Sequence, residues 1–202
     1  MKKLTLLLLF LWANNALADD ASDSLQAKLN AIRTMSASFN QVINAKTRVI
    51  SKASGNMALS RPGRFLWQTK KPLEQIVIAD GKHLWVYDVE LEQVTLKKQD
   101  KGLGGTAALF LSGYDNTLTH DFEVTESKVG NELKFDLKAK SSKENFQHMQ
   151  LAFVGDELTG IELDDQLGQH TTVVLSKIKN NPPLSPTVFK LKIPKGVDLV
   201  RQ

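Results

Sequence analysis

In the second half of the chain, apolar side chains recur at every other position. Leu133, Phe135 and Leu137 interleave with Lys134, Asp136 and Lys138, and Met149, Leu151 and Phe153 interleave with Gln150 and Ala152. A strand points successive side chains to opposite faces, so this alternation predicts antiparallel strands with one buried and one wet face. Nearer the N-terminus, Asp80-Gly81 stands between Ile76-Val77-Ile78 and Leu84-Trp85-Val86-Tyr87. Asp-Gly between two such runs is a hairpin signal, and it sets Ile76 opposite Trp85 and Val77 opposite Leu84. Both faces of that hairpin are apolar, so the period alone does not say which one lines an interior. Gly155-Asp156 and Gly168 mark later turns, and Phe189, Leu191 and Ile193 predict a last strand ended by Pro194. About ten short strands joined by hairpins predict a mainly β (α+β) chain built on one strongly curved antiparallel sheet or a barrel.

Ahead of the strands the period is helical. Asp23 and Ser24 are N-cap residue types, and Leu25, Leu29, Ile32 and Met35 recur at helical spacing with Gln26, Lys28, Asn30 and Arg33 between them. The reading is a helix over 24–35 with one apolar stripe. After Ser36, Ala37, Phe39, Gln41 and Ile43 alternate with Ser38, Asn40 and Val42, which predicts a strand. A second helix is predicted over 106–111. Gly102-Leu103-Gly104-Gly105 breaks the chain, Thr106 can cap, and Ala107, Leu109, Phe110 and Leu111 form a compact apolar stretch before Gly113. A short helix of that composition is unstable in water and must lie on something apolar.

The first eighteen residues read as an export signal. Met1-Lys2-Lys3 is a positive start, Leu4 to Trp12 is apolar apart from Thr5, and Ala16-Leu17-Ala18 offers small residues before a cut. That apolar run is too short to cross a bilayer core of roughly 30 Å. The expected division is therefore a signal peptide over 1–18 and one mature domain over 19–202, exported and unanchored, in a pattern that suits a bacterial periplasm. Of 202 residues, 42% are hydrophobic and 24% charged, the balance of an ordinary folded protein. Basic residues number 26 against 22 acidic; with Lys2 and Lys3 in the leader the excess falls to two, too small to argue for nucleic acid. There is no cysteine, which excludes disulfides, thiolate metal sites, a Cys nucleophile and a lipid-modified N-terminal Cys.

Reactive chemistry is sparse. His83, His120, His148 and His170 are far apart in sequence, without the paired spacing of a metal site. Ser60, Ser112 and Ser185 lie in no nucleophile signature. Gly102-Leu103-Gly104-Gly105-Thr106-Ala107 fits a dinucleotide loop only loosely and lacks a surrounding βαβ unit. Asp156-Glu157 and Glu162-Leu163-Asp164-Asp165 fall where hairpin ends are expected and read as solvated turns, with a paired-carboxylate glycosidase as the alternative. No catalytic residue, metal or cofactor is expected.

The apolar faces say more. Met57, Leu59 and Arg61 share one face of a strand, Pro62-Gly63 breaks it, and Phe65 and Trp67 resume an apolar row. Arg61 thus ends a hydrophobic file at a turn. One reading is a stem that packs while its head reaches water. The other is a guanidinium aimed at backbone carbonyls on the rim of an apolar space, its five donors able to hold a movable element.

Three stretches together resemble a known family. They are Ser60-Arg61-Pro62-Gly63-Arg64-Phe65-Leu66-Trp67 with Lys71-Pro72, then Ile78-Ala79-Asp80-Gly81-Lys82-His83-Leu84-Trp85-Val86-Tyr87-Asp88, then Gln93-Val94. This pattern is similar to the central signature of the periplasmic outer-membrane lipoprotein carriers, the LolA family. Ala37-Ser38-Phe39-Asn40-Gln41 fits the family's start, and Val188 through Asp198 fits its end.

The resemblance implies an unclosed antiparallel β-barrel whose helices lie as a lid over a hydrophobic cavity that shelters lipoprotein acyl chains. It implies cargo received from the inner-membrane transporter LolCDE and handed to the outer-membrane acceptor LolB, by a monomeric chaperone rather than an enzyme. Arg61 matches the family arginine that hydrogen-bonds the lid helices and keeps the empty form closed. Cavity candidates are Met57, Leu59, Phe65, Trp67, Ile76, Ile78 and Trp85. Lid candidates are Leu25, Leu29, Ile32, Met35, Ala107, Leu109, Phe110 and Leu111. Two other classes compete: a periplasmic lipid-binding or stress-sensing module of the same fold, and a secreted hydrolase with clustered acid, base or nucleophile residues.

Overall fold

Among the described residues, alternating side chains assemble into a single sheet of twelve strands that curls without closing. The computed structural model describes residues 16–99, 111–113, 121–141 and 146–202. One helix, α1 (Ala16–Ala31), precedes β1 (Thr34–Ala45), β2 (Arg48–Ser60), β3 (Arg64–Lys71), β4 (Gln75–Asp80), β5 (His83–Asp88) and β6 (Gln93–Lys98). There follow β7 (Phe122–Val129), β8 (Glu132–Ala139), β9 (Phe146–Val154), β10 (Glu157–Asp165), β11 (Gln169–Asn180), a 3-10 turn over Pro186–Phe189 and β12 (Asp198–Arg201). The spatial order is β12-β6-β5-β4-β3-β2-β1-β11-β10-β9-β8-β7, so two runs of hairpins meet where β1 pairs with β11. All neighbours are antiparallel except β12, which runs parallel to β6.

Edge strand β7 is charged along its outer half, where Glu123, Glu126 and Lys128 are exposed. The core explains the curvature. Phe65 of β3, Phe39 of β1, Phe135 of β8, Phe153 of β9 and Phe122 of β7 belong to one buried cluster although their strands are spread across the sheet. Only a strongly curled sheet brings one face of such distant strands together. Leu25 and Leu29 of α1 join the same cluster, and the helix packs beside β7. The face lined by this cluster is therefore the concave one.

Four local readings change. The helix ends at Ala31 rather than 35 and begins well before Asp23 and Ser24, which lie inside it. Met35 belongs to β1, paired with Leu59. Helix stripe and strand face point into the same core, so the apolar spacing of Leu29, Ile32 and Met35 runs on past the change of structure. The β4–β5 turn is Gly81-Lys82, one residue later than expected, so Ile78 faces Trp85 and Val77 faces Val86. A register shift of two keeps every side chain on its face. Finally, Phe189, Leu191 and Ile193 do not form a strand. Ser185 caps the 3-10 turn through its side chain, and the chain then crosses the outer face to reach β6. Of the expected second helix only Leu111 lies among the described residues; Ala107, Leu109 and Phe110 lie outside them.

The crossing segment accounts for the doubly apolar β4–β5 hairpin. Phe189, 2% exposed, packs with Ala58 and Ile78, while Leu66, Ile76, Trp85, Leu184, Val188 and Leu191 surround them on the outer face. Both faces of this half of the sheet are thus covered, one by the interior cluster, the other by the C-terminal segment.

Gly55 is obligatory where β1, β2 and β3 meet. The Phe39 ring crosses opposite it and stacks on Trp67 with centroids 3.9 Å apart, and a Cβ at Gly55 would collide with the Gln68 carbonyl and the Phe39 ring. Gly55→Val lowers unfolding stability by about 3 kcal/mol, read as a fall in urea midpoint at unchanged slope. Asp80 closes the β4–β5 turn by accepting from the backbone N–H of Lys82 and His83 at 2.8 Å each and from Trp85 Nε1–H at 2.9 Å. Burial alone would raise this carboxyl, but those three hydrogen bonds and the neighbouring His83 together hold it below its usual value. A depressed carboxylate contributes stability above its unfolded value and loses it as pH falls through the folded one. In acid titrations, Asp80→Ala therefore loses part of the stability decline that the unaltered chain shows below about pH 4.

Candidate binding site

On the concave face Met57 and Leu59 of β2 and Phe65 of β3 are 2% exposed or less, and Trp67 packs against them. Leu25, Leu29 and Ile32 press onto the same lining from the helix side, and Leu111 is buried with them. Met35 lines the site too, from β1 rather than from the helix. Ile76, Ile78 and Trp85 are corrected: they lie on the outer face, in the cluster around Phe189. Ile76 and Ile78 there line a groove of about 420 Å³ with Leu66, Leu191 and Lys190. Successive residues of one strand cannot share a face, and Val77 and Ala79 took the concave side.

At one end of the lining the β2–β3 turn, Arg61 to Gly63, holds two other segments. Arg61 Nε donates to the Leu111 carbonyl at 2.9 Å, and Gly63 N–H donates to the Ser112 carbonyl at 2.9 Å. The guanidinium lies flat against Gly113, where a Cβ would sit 3.0 Å from a terminal nitrogen and where φ is +64°. The left-handed φ is what calls for glycine there, and a Cβ would also crowd the guanidinium. On the other side Arg61 N–H donates to the Arg33 carbonyl at 2.9 Å, just past α1. Burial pushes the guanidinium down to about 10, so it stays cationic throughout the physiological range.

Gln99 braces this turn from below. Its Nε2–H donates to the Gly63 carbonyl at 2.9 Å and its Oε1 accepts from Gly81 N–H at 3.1 Å, while the side chain is 3% exposed. Sequence reasoning did not find Gln99, because a lone glutamine after a strand carries no motif. It also missed Lys28 and Asn181, which hold α1. Lys28 Nζ reaches the β9–β10 turn, and Asn181 bonds the end of the helix. The Asn180-Asn181-Pro182 run signals a strand end but not what it grips.

The outer face of the other half carries the polar chemistry. His148 and His170, distant in sequence, both contact Asp164, with Nδ1 to carboxylate distances of 3.2 and 2.7 Å. His148 Nε2 lies 3.1 Å from Asp136, so a row of alternating imidazoles and carboxylates crosses β8 to β11. Among the described residues no group of three or more such side chains is placed to hold a metal ion. Asp165, read as a solvated turn, caps its hairpin by accepting from Leu167 and Gln169 N–H at 2.8 Å each.

Known proteins share this chain's sequence and shape. A family described as "Outer membrane lipoprotein carrier protein LolA" matches residues 30–192. An outer-membrane lipoprotein carrier protein of Legionella pneumophila (strain Corby) is 58% identical over 202 residues, 100% of each chain. Its counterpart in Hahella chejuensis is 36% identical over 184 residues, covering 89% of this chain and 88% of its own. Among solved structures, a conserved protein from Thermus thermophilus superposes with TM-score 0.56 at 14% identity, covering 89% of this chain and 99% of its own. A LolA superfamily protein from Nitrosomonas europaea gives TM-score 0.50 at 14% identity, with 85% and 98% covered. These two show likeness of fold alone. The sequence match runs through the turn of Arg61, the concave lining and the crossing segment alike, and by it the chain belongs to the LolA family of outer-membrane lipoprotein carrier proteins.

Proposed function

We propose that this protein is a periplasmic chaperone that shelters the acyl chains of lipoproteins between α1 and the concave face of the sheet. The observation that carries the reading is the turn at Arg61. It sits at the rim of a continuous apolar lining and holds the Leu111 to Gly113 segment by polar bonds to backbone. In this reading the lining residues Met57, Leu59, Phe65 and Trp67 meet cargo, α1 and the residues from Leu111 to Gly113 belong to the cover, and Arg61 is its latch. Cargo comes from LolCDE and goes to LolB. The chain has no cysteine on which to carry lipid itself, which suits the carrier rather than the acceptor.

The energetics fit that task. A buried methylene is worth roughly 0.8 kcal/mol, so a chain of about 14 represents on the order of 10 kcal/mol withheld from water. Lipoproteins with several such chains do not cross an aqueous gap unaided. A carrier has to shelter them and still release them to the next acceptor. In the closed form the lining is buried by the protein's own side chains, Phe39, Phe65 and Leu25 among them, so re-closure competes with bound cargo. Hydrogen bonds from a charged donor, about 1.5–3 kcal/mol each, bias that balance toward the empty form without touching cargo. Loading energy is supplied by the transporter, so the carrier itself needs no nucleotide chemistry.

Three experiments test the reading. Depleting the protein strands outer-membrane lipoproteins in the inner membrane, seen by fractionation; unchanged sorting would remove the carrier role and favour a sensor of the same fold. Arg61→Leu stays folded and still takes up lipoprotein, but transfer to LolB slows by roughly tenfold because the open, loaded state is no longer opposed. Normal transfer by that variant would end the latch assignment. Phe65→Glu or Trp67→Glu weakens uptake of a fluorescent fatty acid; equal uptake would move cargo away from the concave lining.

A further inference from the structure

Apolar contact alone cannot tell a closed carrier from a loaded one. When Leu25 and Leu29 leave the lining, acyl chains cover the same surface, and burial of hydrocarbon has no direction. What distinguishes the closed form is the set of polar bonds made only when α1 is seated. Arg61's side chain bonds the segment at Leu111, so the seating of α1 depends on other groups.

Two such groups stand at different points along the helix. At its C-terminal corner, Asn181 Nδ2–H donates to the Ala31 carbonyl at 2.9 Å, and its Oδ1 accepts from Arg33 N–H at 2.8 Å and Thr34 N–H at 3.3 Å. Its backbone N–H donates to the Thr34 carbonyl at 2.7 Å, with Asn181 itself in the left-handed region at φ 55°. The link between α1 and β1 is thereby fixed to the end of β11.

Nearly one turn back along the helix, Lys28 Nζ donates to the Gly155 carbonyl at 3.0 Å and lies 3.4 Å from Asp156 Oδ1. Its ammonium is 5.6 Å from the centroid of the Phe153 ring, a residue of the core cluster. Asp156 is 93% exposed and so contributes little. Lys28 is only 22% exposed, and its bond to the carbonyl, with the ring beside it, makes the directional contact.

We propose that Lys28 is a positioning residue for cargo release: a clasp that draws α1 back onto the lining, about a hinge held by Asn181. The inference rests on α1 being the cover. Arg61 and Lys28 then bias closure independently, one through the Leu111 segment and the other through the helix.

The test uses protein recovered from the periplasm and the variants Lys28→Met, which keeps the aliphatic stem, and Lys28→Arg, which keeps the charge. In empty Lys28→Met, amide exchange over 25–31 rises about tenfold while β1, β2 and β8 to β11 exchange as before. The same variant holds a fluorescent fatty acid about tenfold longer when challenged with acceptor vesicles, and Lys28→Arg restores both readouts. Unchanged exchange over 25–31 would overturn the clasp while leaving the Arg61 latch and the carrier reading standing. Faster exchange throughout the sheet would also overturn it, by reducing Lys28 to general stability. Faster exchange at α1 with unaltered release would show that α1 is not the cover, and would sink the clasp together with that part of the proposed function.

Discussion

A sheet that curls but does not close leaves one apolar wall that the strands cannot bury by pairing with each other. Everything else in this molecule answers that constraint. The concave clusters on β1 to β3 and β7 to β11 meet each other in the interior, and α1 lays Leu25 and Leu29 over what remains. A closed barrel of this width would fill its middle with side chains fixed by strand pairing on every side. Here one boundary of the interior is a helix and the residues at Leu111, held by directional bonds from Lys28, Arg61 and Asn181. On the proposed reading the wall is permanent and its cover detachable, which is the physical basis of a carrier.

The turn at Arg61 gathers the controls into one place. A single turn of three residues, through one guanidinium and two backbone N–H groups, reaches both Arg33, two residues past α1, and the segment from Leu111 to Ser112. Gln99, just past β6, ties it to the neighbouring β4–β5 turn, where Asp80 in turn fixes the backbone. On the proposed reading, hydrogen-bonded turns therefore stand behind the cover and hold the latch in place.

Strands with one wet face were legible because alternation reports burial directly; Phe135 and Leu137, or Leu151 and Phe153, are buried where their period put them. The β4–β5 hairpin was legible as a hairpin but not by face. Its outer residues Ile76, Ile78 and Trp85 are covered by a segment more than ninety positions later in the chain, and no local pattern carries that information. The crossing segment itself misled for a related reason: Phe189 and Leu191 are spaced like a strand yet bury themselves without pairing. Arg61 could be singled out because it closes an apolar file at a Pro-Gly break. Lys28, Gln99 and Asn181 could not, since their partners are backbone carbonyls and N–H groups, which every sequence supplies equally.

The two border strands of the sheet bear on what would happen if such a protein opened as proposed. Its long border, β7, shows Glu123, Glu126 and Lys128 to solvent, and the opposite border ends in the four-residue β12. Charged or abbreviated borders resist zipping onto a second chain. A molecule that bares a greasy wall as proposed is thus guarded against self-association at the places where backbone, rather than hydrocarbon, would seed it.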